Sequence, residues 1–143
     1  MKKSTKAIEL KFERTIPASP NEVYDAWLNS KIPGNPWNIA DKLTLNPKVD
    51  GFFYLAVGEF PHYGRFTDLK RPGRIRHTWM SPNTSGDESM VTVTFEKQEE
   101  GTVMTLVHSD LPNTDGGRGH EDGWNYFLNI FLKQFGRGSR KKH

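Results

Sequence analysis

The chain has 143 residues, no cysteine and a formal net charge of +3, and these totals already exclude several classes of protein. The length suits a single domain, and without cysteine neither a disulfide framework nor a thiolate metal site can form. No apolar stretch is long enough to span a bilayer, and no amino-terminal run resembles a signal peptide. We therefore expect a cytoplasmic protein that does not insert into a membrane.

The positive charge lies at the two ends of the chain. Seven of the twenty basic residues fall within residues 2–6 and 137–142, whereas all seventeen acidic residues lie between these segments. The interior therefore carries thirteen basic against seventeen acidic residues, a net charge of −4. A nucleic-acid-binding protein concentrates basic groups on a folded face, so we expect no specific nucleic-acid partner. Non-specific contact of the ends with anionic polymers is the weaker alternative.

The first third of the chain predicts a strand, a short helix and an irregular segment. Residues 6–16 alternate apolar and charged side chains, which is the period-two pattern of a half-buried strand. A capping box that begins at Ser19 predicts a helix to about Ser30. The segment 33–36, rich in proline and glycine, ends this helix and leads to irregular chain around Trp37.

Six further strands fill the middle of the chain. Alternation and a high content of β-branched and aromatic residues predict the strands, and Gly, Pro and Asp mark the turns between them. The predicted strands cover residues 42–46, 52–57, 62–69, 74–80, 90–98 and 102–110. Short turns require antiparallel neighbours, so we expect one antiparallel sheet of six to seven strands.

A loop rich in glycine and aspartate over residues 111–118 leads to a long last helix, residues 119–135. Large apolar side chains at steps of three and four share one face of this helix; they are Trp124, Phe127, Leu128, Phe131 and Phe135. Such a face has to be covered, and the sheet is the only partner large enough. The sequence thus predicts an α+β fold in which a curved sheet wraps around the C-terminal helix and leaves a cavity. We expect one domain over 1–136 and a basic, disordered tail over 137–143.

Several motifs, in order along residues 8 to 135, resemble one known family. They are Phe12-Glu13-Arg14-Thr15-Ile16, Ser19-Pro20-x-Glu22-Val23-Tyr24-x-Ala26-Trp27, Val49-Asp50-Gly51, Tyr63-Gly64, Ile75-x-x-Thr78-Trp79, Val91-Thr92-Val93-Thr94-Phe95, His108 at the end of its strand and Gly123-Trp124 at the start of the last helix. Together they resemble the family of the activator of the 90-kDa heat-shock protein's ATPase. That family belongs to the START-like (SRPBCC, or Bet v 1-like) superfamily, so the resemblance implies the helix-grip fold.

What the resemblance implies about function is a cavity rather than a particular ligand. Members of the superfamily bind lipids, sterols, plant hormones or polyketides, and some are cyclases or aromatases. The chaperone activator has an additional amino-terminal domain that we do not expect in this chain, so co-chaperone activity is not carried over. A homodimer is possible by analogy only.

Ten residues are predicted to line the cavity, of which eight are apolar and two are histidines. They are Trp37, Phe53, Leu55, Phe66, His77, Trp79, His108, Trp124, Leu128 and Phe131. The places of Phe53 and Leu55 assume a register set by Gly51, and a slip of one residue would turn Phe52 and Tyr54 inward instead.

His77 and His108 are the polar candidates, because each alternates with apolar neighbours on an inward strand face. A polar group in an apolar pocket can orient a ligand, and we favour His77 for this role because the related family tends to be apolar at that position. The alternative, which is the commoner one, is that each imidazole bonds to a backbone carbonyl or a hydroxyl of the wall.

No motif predicts a metal or a cofactor. Glu59 and His62 lack a third ligand nearby, and His120 lacks the second histidine of a zinc-protease helix. The glycine-rich segment 115–119 lacks the Lys-Ser/Thr pair of a phosphate-binding loop and is interpreted as a flexible approach to the helix. No Ser-His-Asp or Cys-His set can be assembled from the spacing.

The sequence therefore favours a protein that binds a small hydrophobic or aromatic molecule in the cavity. The first alternative is an enzyme of the polyketide cyclase, aromatase or isomerase type, in which His77 would act as acid or base. The second alternative is a protein-interaction module, such as a chaperone partner. The sequence alone leaves open whether any reaction is catalysed.

Overall fold

The structure, a computed structural model, describes the backbone of residues 7–141 and the side chains of residues 7–135. In chain order the elements are β1 (Ile8–Ile16), α1 (Pro20–Trp27), β2 (Lys42–Leu45), β3 (Phe52–Val57), β4 (Phe60–Lys70), β5 (Arg74–Trp79), the 3-10 turn η1 (Pro82–Thr84), β6 (Ser89–Gln98), β7 (Gly101–Leu111) and α2 (Asp115–Lys141). Among the described residues no helix is long and apolar enough to cross a membrane.

All seven strands form one antiparallel sheet in the order β1-β7-β6-β5-β4-β3-β2. Consecutive strands from β2 to β7 are neighbours, as their short turns require, and β1 returns to pair with β7. The helix α2 contacts β1 at one edge of the sheet, and its Trp124 ring lies 5.6 Å from that of Trp79 on β5. The predicted α+β architecture, with seven strands gripping a long C-terminal helix, is confirmed.

The register assumed for β3 is correct. Phe53 and Leu55 are buried on the inner face of the sheet, the face that packs against α2, whereas Phe52 is 67% exposed. In the pairing of β3 with β4, Leu55 lies opposite His62. Opposed residues of an antiparallel pair project to the same face, so His62 also lies on the inner face. From the sequence alone, His62 is considered only as a metal candidate beside Glu59, and this inward position is not predicted.

The capping box at the start of α1 is present as predicted. The backbone amide of Glu22 donates to Ser19 Oγ, and the Glu22 carboxylate accepts from the Ser19 amide. The helix ends at Trp27 rather than near Ser30, and its buried residues are Val23, Tyr24 and Trp27. The ring of Tyr24 packs edge-on against that of Phe95 of β6 at 5.6 Å.

The helix α2 begins at Asp115, four residues earlier than predicted, because the segment read as a flexible loop forms its first turn. Thr114 acts as the cap, since its hydroxyl accepts from the amide of Gly117 and its carbonyl accepts from the amide of Arg118. The helical backbone continues to Lys141. The predicted disordered tail, 137–143, stays a prediction because its side chains and residues 142–143 lie outside the described part of the chain.

Candidate functional site

A cavity of about 370 Å³ lies between the first half of α2 and the β3–β5 region of the sheet. The sheet contributes Leu55, Val57, Phe60, His62 and Trp79, and the irregular segment after α1 contributes Pro36 and Ile39. From the opposite side η1 contributes Asn83, and α2 contributes Asp115, His120, Trp124 and Phe127 together with Gly116, Gly119 and Gly123. Most of the wall is therefore aromatic or aliphatic, with a few polar side chains.

The cavity reaches the protein surface. Asn83, Asp115 and Gly119 are exposed residues of its lining, and Phe60 is a large apolar side chain that is nevertheless 50% exposed. The opposite end is closed by Trp79 and Trp124, both of which are buried. A molecule could thus enter between η1 and the turn before β4.

The face of α2 that lines the cavity contains three glycines. Successive helical residues turn by about 100°. The residues of α2 at positions 116, 119, 120, 123, 124 and 127, which line the cavity, therefore share one face, with Gly123 near its middle. Outside the helix's own backbone, no atom lies within 4 Å of the point where a Cβ would stand at Gly119 or Gly123. The missing side chains at these two positions leave volume open that larger residues would fill.

His62 presents one nitrogen of its ring as a hydrogen-bond acceptor. Its Nδ1 lies 3.0 Å from the carbonyl oxygen of Phe60; because a carbonyl can only accept, Nδ1 carries the hydrogen and Nε2 of the neutral ring holds a lone pair. No described residue bonds to this Nε2. Burial lowers the pKa of His62 below its ordinary value, and the backbone carbonyls of Phe60 and Leu55 oppose that effect only in part.

His120 presents the same arrangement from the opposite wall. Its Nδ1 lies 3.0 Å from the carbonyl oxygen of Gly116 and 3.1 Å from that of Gly117, one turn earlier in α2. Nδ1 is therefore again the donor, and Nε2 is an acceptor without a partner among the described residues. Burial also lowers the pKa of His120 below its ordinary value, so the neutral form of both imidazoles predominates at pH 7.

Three of the ten predicted lining residues border the cavity, namely Leu55, Trp79 and Trp124. The other seven lie in the core beside it and are not part of its wall: Trp37, Phe53, Phe66, His77, His108, Leu128 and Phe131. The space expected near Trp37 and Phe131 is occupied by side chains, because Trp37 packs against Phe53 at 5.0 Å and Phe131 against Trp27 at 5.0 Å.

His77 is fully buried and enclosed by aromatic rings rather than facing the cavity. The rings of Trp37, Phe53, Phe66 and Trp79 lie 5.1 to 6.0 Å from its own. Its Nδ1 donates to the carbonyl oxygen of Thr78 at 2.9 Å, while Nε2 has no partner among the described residues. Burial lowers the pKa of His77 to about 4.

His108 links three elements through a directed chain of hydrogen bonds. Trp124 Nε1 donates to His108 Nδ1 at 3.0 Å, so His108 Nε2 carries the hydrogen and donates to Ser89 Oγ at 2.8 Å. The hydroxyl of Ser89 in turn donates to the carbonyl of Trp79. Burial, the largest cause, lowers the pKa of His108 to about 2. Both ring nitrogens of His108 are therefore hydrogen-bonded, and these bonds fix α2 on the sheet.

Sequence reasoning missed the two histidines that do line the cavity. His62 could have been found from the hairpin register, because its place opposite Leu55 turns it inward. His120 could have been found by extending the helical period one turn back from Trp124, since residues four apart share a face. Among the described residues no three His, Asp or Glu side chains come together as metal ligands.

The fold and its cavity define a START-like protein of the helix-grip class. The profile of the family described as "Activator of Hsp90 ATPase homolog 1-like protein" matches residues 17–136. The chain belongs to this family, as the motifs in its sequence indicated. A comparison with curated proteins gives no match.

Solved structures of similar fold include both bacterial and eukaryotic proteins. The protein CV1439 from Chromobacterium violaceum has a TM-score of 0.75 at 20% identity, over 89% of this chain and 96% of its own. The Aha1 dimer from Colwellia psychrerythraea has a TM-score of 0.72 at 15% identity, over 90% and 96%. PFC0360w, an HSP90 activator from Plasmodium falciparum, has a TM-score of 0.66 at 25% identity, over 86% and 91%. The first two similarities establish the fold alone.

Proposed function

We propose that the protein binds a small, mainly apolar molecule in the cavity between α2 and the sheet. One observation carries this proposal: a cavity of about 370 Å³, walled mainly by aromatic and aliphatic side chains, reaches the surface. Small-molecule sites occupy roughly 300 to 1,000 Å³ and combine apolar walls with a few polar groups. The volume lies in the lower part of that range, which favours a compact ligand over a long-chain lipid.

Removal of apolar surface from water would drive this binding. Each Å² of buried apolar area contributes about 25 cal/mol, and the aromatic and aliphatic side chains of the wall offer that area. The ligand need not organise the wall, because the Trp124 ring and the backbone of Trp79 are already linked by the hydrogen bonds through His108 and Ser89. A site formed in advance loses less free energy to ordering.

The proposal predicts that filling the cavity abolishes binding without unfolding the protein. In Gly123→Leu the new side chain enters the open volume at the centre of the α2 wall. Protein isolated from its own host should carry a small molecule in native mass spectrometry, and a ligand at a hundred times its Kd should add about 2.7 kcal/mol to the free energy of unfolding. Gly123→Leu should lose both the bound molecule and the thermal stabilisation.

Asp122→Leu is the matched control, because it adds the same side chain to α2 at an exposed position next along the helix. This control should keep the bound molecule. The proposal fails if the Gly123→Leu protein, folded by circular dichroism, is stabilised by the same compounds as the unaltered chain.

An enzyme is the second candidate, and the two imidazoles in the cavity favour it. His62 and His120 both offer an unbonded, neutral Nε2 that could take a proton from a bound substrate. The role suggested for His77 finds no support, because aromatic rings separate it from the cavity. Turnover of a bound polyketide or carbonyl compound that is lost in His120→Gln, with binding retained, would favour this reading.

The family and the Plasmodium relative support a chaperone partner as a third candidate. The homodimer that analogy makes possible has support in the dimeric Colwellia relative and in the exposed Phe52 and Tyr63 on the outer face of the sheet. Sedimentation at rising concentration tests it. A cytoplasmic location, and a lack of membrane or specific nucleic-acid partners, complete the proposal.

A further inference from the structure

We propose that the cavity selects a neutral aromatic molecule that carries one or more hydroxyl or N–H donors, such as a phenol, and that each donor is accepted by either His62 Nε2 or His120 Nε2. This inference rests on the proposed binding function and goes beyond it by naming the chemical class of the ligand. It follows from which polar atoms of the wall are already bonded and which are not.

The backbone determines the hydrogen-bonding direction of both rings. The carbonyls of Phe60, Gly116 and Gly117 can only accept, so each ring places its hydrogen on Nδ1 and its lone pair on Nε2. Neither ring can reverse its tautomer without losing its backbone bond. Burial holds the pKa of both rings low, so protonation does not turn either Nε2 into a donor at neutral pH. At these two nitrogens the ligand must therefore supply the hydrogen.

The wall offers nothing that would hold an anion. No lysine or arginine occurs among the described residues that line the cavity, and the charged side chain at its rim is the carboxylate of Asp115. The first turn of α2 could in principle attract a negative group. Here the hydroxyl of Thr114 already accepts from the amide of Gly117, and Asp115 itself stands at the helix start. A carboxylate or phosphate ligand is therefore disfavoured.

The positions of the tryptophans favour an aromatic body for the ligand. The ring of Trp79 lies 5.0 Å from that of His62 and 5.6 Å from that of Trp124, so one of the two acceptors packs against the aromatic cluster that closes the cavity. His120 stands one turn before Trp124 on the same face of α2. A flat molecule against the tryptophans would bring polar groups on its edge to the imidazoles.

Loss of the donor should weaken binding strongly. A ligand without a donor displaces water from the Nε2 atoms and leaves them without a hydrogen-bond partner. A site built to bind a hydroxyl therefore rejects analogues that lack one. We expect each lost hydrogen bond to reduce affinity about tenfold or more.

Three probes of nearly the same shape separate the possibilities in calorimetric titrations at pH 7.5. They are 2-naphthol, which has a donor, 2-methoxynaphthalene, which has an acceptor only, and 2-naphthoate, which is an anion. We expect 2-naphthol to bind at least tenfold more tightly than 2-methoxynaphthalene, and 2-naphthoate to bind most weakly. Equal affinity for 2-naphthol and 2-methoxynaphthalene, or tightest binding by 2-naphthoate, would overturn the inference.

The variants His62→Phe and His120→Phe keep an aromatic ring and remove the acceptor. Because 2-naphthol has a single donor, the variant that removes its acceptor should lower the preference for 2-naphthol over 2-methoxynaphthalene. Both variants should leave the affinity for 2-methoxynaphthalene within about threefold, because the binding of this probe depends on the apolar area that it buries. If a Phe variant does not fold, His62→Leu or His120→Leu provides the same comparison. An unchanged preference in folded variants at both positions contradicts the assignment.

Failure of this inference differs from failure of the proposed function. If 2-methoxynaphthalene binds as well as 2-naphthol and Gly123→Leu abolishes the binding of both, the cavity is a binding site and only the assigned ligand class is wrong. If none of the three probes binds and Gly123→Leu has no effect on the molecules carried from the host, both proposals are overturned.

Discussion

At His77 the chain places a titratable side chain in a fully buried aromatic setting, and acid should therefore destabilise the protein. The pKa of His77 is about 4 in the folded state, against about 6.5 in the unfolded chain. Between these values the unfolded chain binds a proton that the native protein excludes, so the free energy of unfolding falls as pH falls. The loss from His77 alone approaches about 3 kcal/mol at pH 4, and His108 adds to it.

His77→Phe should flatten this dependence. Urea unfolding at several pH values between 4.5 and 7 should give a shallower slope than in the unaltered chain, because one excluded proton is removed. Phe53→Leu is the control: it alters a ring that packs against His77 at 5.1 Å and should lower stability equally at every pH. Parallel pH profiles for His77→Phe and the unaltered chain would show that another group governs the acid sensitivity.

The residue scale also shows why sequence reasoning located only part of the cavity wall. Periodicity correctly turned Leu55, His77 and Trp79 toward the interior. It carries no information on whether an inward side chain meets another side chain or empty space. Whether space remains beside an inward side chain depends on residues that are distant in the sequence. Trp37, for example, fills the region around His77. Gly123 has no side chain and so does not contribute to an apolar pattern in the sequence, although its lack of a side chain helps to leave the cavity open.

Among the elements, α2 has two kinds of glycine that should respond oppositely to the same substitution. At Gly116 a Cβ would stand 2.9 Å from the carbonyl oxygen of Asn83 in η1, whereas at Gly123 it would meet nothing. Alanine raises helix stability by up to about 1 kcal/mol over glycine. Overpacking costs about 1 to 3 kcal/mol. We expect Gly123→Ala to raise Tm and Gly116→Ala to lower it.

Thermal unfolding of the two single variants tests this pair directly. Each serves as the control for the other, because both make the same change in one helix. A higher Tm for Gly116→Ala would mean that η1 moves away from α2 at little cost.

The elements themselves were largely predictable from the sequence. Turn residues and period-two alternation are local properties, so all seven strands were found with ends within two residues or so. The start of α2 was not found, because three glycines within 115–119 lower helix propensity and only tertiary packing overrides it. The cap at Thr114 was the available local signal.

On the scale of the whole molecule, the charges predict weak and non-specific attraction to polyanions. Four arginines of the domain are paired with carboxylates, in Arg65–Asp50, Arg71–Asp25, Arg74–Asp68 and Arg118–Asp115. Four of the twenty basic residues follow residue 135, and without them sixteen face seventeen acidic residues. The full chain should bind a heparin column only at low salt, because screening weakens such attraction. A chain truncated after Phe135 should flow through; its retention would indicate a basic face on the domain.

The two tryptophans that close the inner end of the cavity also give the protein an optical property. Indole rings 5.6 Å apart and inclined at 49°, as in Trp79 and Trp124, couple their electronic transitions, and the resulting near-ultraviolet dichroism depends on their mutual orientation. Any guest that rests against either ring will perturb that coupled signal. Extracts or compound collections can therefore be surveyed on the unlabelled protein, before anything is known of the guest's identity.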